Sequence, residues 1–447
     1  MTEGREDEAL RCGARPRAAA RGRRRAACAL LLASIAAAAC SLPPRYVARV
    51  LFWGNADVGD SARFPARPVR AGAAPQRFRA PSDTAPARRV LEAAAGAADI
   101  GAFLDETGTQ ALLVVEKDAL VYEGYANGAS RETIVTSFSV AKSFTSALVG
   151  IALAKGHLRS AADPITVYLP ELAQRDPRFS RITLRHLMTM SSGIRYVEFP
   201  FVNGDDAKTY YYPDLRSLAL GKTVIAGPPG ERWLYNNYNP LLMGMILERA
   251  TGTSVARYLE AELWQPFGAE ADGSWSLDSD ETGFEKMESG INARAADFAR
   301  FGKLLLDGGR RDGRQVIPEE WVAESTTTDP GGGRPDYYPD GDLLGSRAAG
   351  ARGYYAYWWW GTRRGDGTHE FCAIGNFGQF IFVSPARGVV IARNGSRWGR
   401  PVRWWLDWFH EVARAIGEDE AAAATRTSGS GPGDGASRAR SGRRARG

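Results

Sequence analysis

Two strand pairs sit near opposite ends of the body of this chain, with a long helical stretch between them. Ala111–Val115 and Ala119–Tyr122 flank the polar turn Glu116-Lys117-Asp118. Far downstream, Gln379–Val383 and Val389–Ala392 bracket Ser384-Pro385-Ala386-Arg387-Gly388. Aliphatic runs broken by a short turn of this kind read as β-hairpins. A lone hairpin is marginal in water, so two of them point to one sheet assembled from both ends of the chain. From Val140 the period changes: Val140, Phe144, Ala147, Leu148 and Ile151 fall on one helical face, and Gly156 stands where a C-cap belongs. Helical segments punctuated by Pro-Gly turns then fill about 160–325, clearest at Leu241–Ala250 and Ala295–Leu306. A last amphipathic helix spans Val402–Ile416, with Trp404, Trp405, Trp408 and Phe409 as its apolar face. The expected fold class is α/β (α+β): an antiparallel sheet from both chain ends, flanked by helices, with an inserted and mostly helical lobe. Such a two-lobed arrangement puts a binding cleft between the lobes.

The ends of the chain read differently from its body. Residues 1–40 carry +4 and residues 425–447 carry +5; removing these from the total of +6 leaves −3 for 41–424. The basic balance therefore belongs to the tails, and the body has no nucleic-acid footprint. Arg21–Arg25 followed by the apolar Ala26–Ala39 and then Cys40 has the layout of an export signal. It implies an exported protein, periplasmic or envelope-associated, with a membrane tether through the leader or a lipid on Cys40. Residues 41–99 are expected to be an extended arm, 100–416 the globular domain, and 417–447 a disordered tail rich in Ala, Gly, Ser and Arg. Three of the four cysteines lie in the leader, so the body has no disulfide framework.

Several chemistries fail on spacing. No Gly-x-Ser-x-Gly occurs, which removes the nucleophile elbow. Gly221-Lys222-Thr223 ends like a phosphate loop, but Arg216 stands where the first glycine belongs. His410-Glu411 has no second histidine three residues on, and the four histidines are too scattered to ligate a metal.

One motif remains. Ser139-Val140-Ala141-Lys142 opens the helix that follows the first hairpin. Residues three apart share a helix face, so an ammonium at 142 can reach a hydroxyl at 139. A serine so placed is a nucleophile beside a proton acceptor; alternatively, Ser139 is a helix cap and Lys142 is solvated. Tyr235-Asn236-Asn237 follows the turn Gly227-Pro228-Pro229-Gly230. A phenol near an ammonium releases its proton more readily and can act as general base and then acid; otherwise Tyr235 is a core aromatic.

Ser139-x-x-Lys142 followed by Tyr235-x-Asn237 resembles the serine β-lactamase and penicillin-binding-protein-like superfamily, its class C branch most. Thr183–Gly193, Leu241–Gly252, Asp297–Gly302 and Gly378-Gln379 agree with that resemblance, which covers about 100–415. It implies Ser139 as acylated nucleophile, Lys142 and Tyr235 as the proton-handling pair, and Asn237 as a substrate-side hydrogen-bonder. It also implies that the N–H of Asn376, beside Gly375, forms an oxyanion hole with that of Ser139. Neither metal nor cofactor is implied. The superfamily's Lys-Thr-Gly strand is replaced by Ala373-Ile374-Gly375, so the cation that grips a lactam carboxylate is missing. The Gly375–Gln379 arrangement looks more like the esterase and 6-aminohexanoate-dimer hydrolase subgroup. The expected activity is hydrolysis of a small ester or amide through acyl-Ser139. The alternatives are a β-lactamase or D,D-peptidase, and a non-catalytic binding protein on the same scaffold. Tyr357-Trp358-Trp359-Trp360 offers either an aromatic pocket wall or core packing, and Cys372 reads as a buried neighbour of the site.

Overall fold

The computed structural model describes residues 42–428, apart from 74, 76, 80–82, 201 and 328–350. The leader, Cys40 and the end of the tail lie outside the described residues. Two units are distinguished, Met1–Ala56 with Val197–Pro213, and the remainder of the chain.

The larger unit is organised by a seven-stranded antiparallel sheet. Its strands are β1 (Thr109–Glu116), β2 (Ala119–Tyr125), β3 (Arg352–Ala356), β4 (Trp359–Arg363), β5 (His369–Gly375), β6 (Gln379–Ser384) and β7 (Val389–Gly395). Their spatial order is β2-β1-β7-β6-β5-β4-β3, so the two expected hairpins meet side by side at the β1–β7 pairing. There Glu116 lies opposite Val389 and Leu113 opposite Ala392. Leu112–Val115 and Val389–Ile391 are wholly buried, as strands covered on both faces must be.

The covering helices follow from strand alternation. Ile381 and Val383 face the helix Ala295–Leu306, while Phe380 and Phe382 face Phe409 of the C-terminal helix Val402–Ser428. The first of these helices comes so close that a Cβ on Gly302 would lie 2.6 Å from Val390 Cγ1 and 2.7 Å from Ile381 Cγ2. Only glycine permits that approach without displacing the strands. The helix Val140–Ala154 packs on the same side through Phe144, which stacks on Phe301 at 3.8 Å.

Three features depart from the sequence expectation. Residues 41–99 are not one extended arm: Pro44–Trp53 and Ala85–Ala95 are helices, and only Ala66–Val69 is strand. Each helix starts with proline in its first turn and buries a short apolar stripe, Tyr46 and Val50 in one, Ala87 and Leu91 in the other. The C-terminal helix runs to Ser428, beyond the expected start of the tail at 417, because its alanines sustain it. The middle of the chain also contains a second, small sheet in the order 66–69, 273–276, 291–294, 134–136. Its strands, such as Gly273-Ser274-Trp275-Ser276, are too short and polar to show a period.

In the smaller unit the helix Pro44–Trp53 meets the helix Asp205–Tyr211. Arg49 Nη1 donates to the Tyr211 carbonyl at 2.9 Å, and the Tyr211 hydroxyl donates to the Gly54 carbonyl at 2.9 Å. Among the described residues no helix is long and apolar enough to cross a membrane.

Candidate active site

The small sheet delivers the chain to Ser139. Strand Ile134–Thr136 pairs with Ile291–Arg294, and the Ser137 amide donates to the Ile291 carbonyl at 2.7 Å. Phe138 then takes a positive φ of 44°, a conformation unusual for a bulky residue, and Ser139 begins the helix Val140–Ala154. The Ser139 side chain does not cap that helix. Its Oγ instead accepts a hydrogen bond from Lys142 Nζ at 2.9 Å.

Lys142 is 1% exposed, which disposes of the solvated alternative. Its ammonium also donates to the Glu288 carbonyl at 3.0 Å and lies 4.9 Å from the centre of the Tyr235 ring. Among the described residues no carboxylate pairs with it. The segment supplying that carbonyl is itself fixed by a buried ion pair, Lys286 Nζ to Glu288 Oε1 at 2.8 Å, with Ser289 Oγ donating to the same oxygen at 2.8 Å.

Tyr235 is half-buried in an aromatic cluster. It stacks on Trp360 at 6.0 Å and meets Tyr355 edge-on at 6.3 Å. Burial, followed by the neighbouring Tyr235 phenol, holds the Tyr355 phenol well above its ordinary value. Asn237 stands at the start of the helix Tyr238–Thr251, and its Nδ2 donates to the Tyr196 hydroxyl at 3.0 Å. The adjacent Asn236 holds the turn instead, donating to the Ile194 carbonyl and accepting from the Tyr238 amide, both at 2.9 Å.

Gly375 closes β5 directly against the backbone of Ser139. A Cβ there would lie 2.3 Å from the Ser137 carbonyl oxygen and 3.2 Å from the Ser139 nitrogen. Asn376 follows, exposed, and Phe377 has φ 61°, so left-handed phenylalanines flank both Ser139 and Asn376. The rings of Phe138 and Phe377 pack at 5.1 Å. Gln379 Nε2 donates to the Asn376 carbonyl at 3.2 Å and to that of Gly395 at 2.6 Å, tying this turn to β7.

The structure thus brings Ser139, Lys142 and the Tyr235 ring together, and sets Gly375 beside the Ser139 amide. Ala373 is wholly buried and presents no cation. The aromatic run divides. Trp360 packs on Tyr235, whereas Trp358 and Trp359 are core, and the Trp358 carbonyl accepts from Ser143 Oγ at 2.8 Å. Cys372 is buried and its thiol is pushed up by burial, away from reactivity. The Glu288 carbonyl, Tyr196 and the two strained phenylalanines were not singled out from sequence. The first is a backbone group, and neither side-chain spacing nor composition marks the others. Chemically, a hydroxyl bonded to a buried amine beside an aromatic phenol ring, with a glycine strand end against the hydroxyl's own backbone, is equipped for acyl transfer.

Comparison with known proteins bears on the same residues. The Beta-lactamase family profile matches residues 97–409. The 6-aminohexanoate-dimer hydrolase of Paenarthrobacter ureafaciens is 29% identical over 328 residues, 69% of this chain and 77% of that protein. Esterase EstB of Burkholderia gladioli is 29% identical over 203 residues, 38% of this chain and 51% of the esterase. Among solved structures, a Bacillus anthracis candidate 6-aminohexanoate-dimer hydrolase superposes with a TM-score of 0.65 at 24% identity, over 80% of this chain and 92% of that one. With the profile spanning most of the larger unit, both hairpins and the Ser139 helix included, the chain belongs to the beta-lactamase family.

Proposed function

We propose that this protein hydrolyses a small ester or linear amide through a covalent acyl-Ser139 intermediate. The observation that carries the reading is the 2.9 Å bond from buried Lys142 Nζ to Ser139 Oγ, with the same nitrogen 4.9 Å from the centre of the Tyr235 ring. Ser139 Oγ forms a bond to the substrate carbonyl carbon while its proton passes to the Lys142–Tyr235 pair, which enters the step one proton short, as free amine or as phenolate. The negative oxygen that develops is met by the amides of Ser139 and Asn376. The pair returns a proton to the leaving alkoxide or amine as its bond to carbon breaks. Water then attacks the acyl ester by the same route in reverse, restoring Ser139. The similarity to an amide-dimer hydrolase and to an esterase supports acyclic substrates. Ala373 supports the same choice, because it leaves a lactam carboxylate without a cationic partner.

Fluorophosphonate labelling of the full chain tests the nucleophile. Label should appear in the wild type and vanish in Ser139→Ala; undiminished label in the variant would remove the assignment. Lys142→Ala and Tyr235→Phe should keep the fold by circular dichroism and lose roughly 10²-fold or more in turnover. A p-nitrophenyl ester and a linear amide should turn over faster than nitrocefin. The opposite order would favour a β-lactamase, and acylation without turnover would favour a binding protein.

A further inference from the structure

A cavity of about 660 Å³ opens well away from Ser139, and its size is that of a small-molecule site. It is lined by Asp118 of the β1–β2 turn and by Lys303 and Asp307 of the helix Ala295–Leu306 and its C-cap. The sheet register locates it. Glu116, Val389 and Ser384 lie in one row, whereas Gly375 and Gln379 pair at the other end of β6. The length of β6, roughly 17 Å at about 3.3 Å per residue, separates the two ends.

The lining is strongly basic, with Arg77, Arg79, Arg300, Lys303, Arg310 and Arg311. The three acids present are already engaged. Asp118 and Asp307 both pair with Lys303, the former at 2.9 Å, and Asp312 pairs with Arg311 at 3.3 Å. Arg79 takes no ion-pair partner among the described residues. Arg300 is the decisive group. It is 7% exposed, and its guanidinium lies 4.5 Å over the Phe78 ring. Its Nη2 is 3.8 Å from Glu270 and its Nε 4.0 Å from Asp297, both beyond hydrogen-bond length, and neither nitrogen has a hydrogen-bond partner. Glu270 is committed elsewhere, to Arg131 at 3.1 and 3.0 Å. Glu270 and Asp297 thus meet the inner edge of Arg300 only at ion-pair range, and Glu270 is shared further with Arg77 at 3.6 Å, so the bases lining the cavity outnumber the acids that serve them and an anion would offset the cost of burying them together. Burial pulls the Arg300 guanidinium below its ordinary value, the direction a bound anion would reverse.

We propose that this cavity is a second ligand site, for a compact anion presenting two or more negative oxygens of the phosphate or polycarboxylate type. Arginine forks match both kinds of oxygen in pairs, and Phe78, Phe267 and Leu304 supply an apolar wall for whatever carries the charge. Occupancy does not depend on the reading of Ser139.

Isothermal titration calorimetry of the full chain with pyrophosphate and, separately, with citrate at fixed ionic strength tests the site. One of them should bind saturably at one site per chain, and which one does so distinguishes phosphate from polycarboxylate recognition. Arg79→Gln/Arg310→Gln changes two exposed side chains and should weaken binding about a hundredfold, roughly tenfold for each charge-assisted bond lost, with ester turnover unchanged. Arg300→Lys, which keeps the charge and loses the fork, should weaken it as well. Ser139→Ala should bind like the wild type. Failure of both anions to saturate, or equal binding by the Arg79/Arg310 double variant, overturns the proposal.

Discussion

At Ser139 the decisive geometry is made by backbone as much as by side chains. Phe138 and Phe377 hold positive φ values on either side of the two amides proposed to meet the developing oxyanion. Bulky residues adopt that conformation only where their surroundings over-determine it, and here each ring packs on the other. Gly375 is the third member of the arrangement. A methyl group there meets the Ser137 carbonyl oxygen at 2.3 Å, so β5 or the Ser137–Ser139 turn must shift. Displacements of about 1 Å at a reacting centre cost roughly 10²-fold in rate. Gly375→Ala is therefore expected to stay folded by circular dichroism while its ester turnover falls by about that factor; a variant turning over at the wild-type rate would show that the contact with Ser139 does not matter. At this scale the sequence was informative where chemistry follows from helical spacing. Ser139 and Lys142 are three residues apart on one helix, and their bond follows directly from that. The Tyr235 ring needed the resemblance, and the strained phenylalanines needed coordinates, because a positive φ at Phe leaves no compositional trace.

Secondary elements explain why the helix Ala295–Leu306 tolerates an acid in its buried first turn. Asp297 is wholly buried, accepts the Glu270 amide at 2.5 Å and faces Arg300 at 4.0 Å. Burial pushes its carboxyl from 3.8 up to about 7, against the opposing pull of the amide bond and Arg300. Because the folded value exceeds the unfolded one, the native state holds a proton between about pH 4 and 7 that the unfolded chain has released. Stability from this group is thus greatest at the acid end and falls as pH rises through the window, by up to ~1.4 kcal/mol per unit. Asp297→Asn should flatten that part of the profile, read as melting temperature against pH for both proteins. Parallel curves would mean that Asp297 is ionised throughout. The same helix shows what was legible in elements. Its apolar period and both hairpins are long or well punctuated, and all appear where expected. The four-stranded sheet was illegible because strands of three or four residues, such as Ile134–Thr136, complete no recognisable alternation. Their pairing is set by partners distant in sequence.

Across the whole of the larger unit, one side chain links the chain ends, the C-terminal helix and the site. Arg393 on β7 is wholly buried, and its guanidinium is pulled down to about 9 by that burial. It donates to Thr109 Oγ1 at 2.9 Å, to the Gly378 carbonyl at 2.6 Å, and to the carbonyls of Thr107 and Arg397 at 3.2 Å each. Its carbon lies 4.0 Å over the Trp405 ring. Among the described residues it has no carboxylate partner, so two large terms oppose each other. Burying the charge costs several kcal/mol, while bonds to a charged donor contribute about 1.5–3 kcal/mol each. Four such bonds and a ring face outweigh the burial. Arg393→Met keeps most of the volume but leaves three carbonyls unsatisfied, and should lower stability by roughly 2–4 kcal/mol in urea unfolding. The Gly378 carbonyl belongs to the turn that carries Asn376 beside Ser139, so its release should also loosen the proposed oxyanion site. Ester turnover in the variant is accordingly expected to fail at urea concentrations below its unfolding midpoint, whereas the wild type should lose activity and structure together. An unchanged midpoint would mean that the four bonds merely balance the cost of burial; coincident loss of rate and structure in the variant would mean that the turn is held by Gln379 alone.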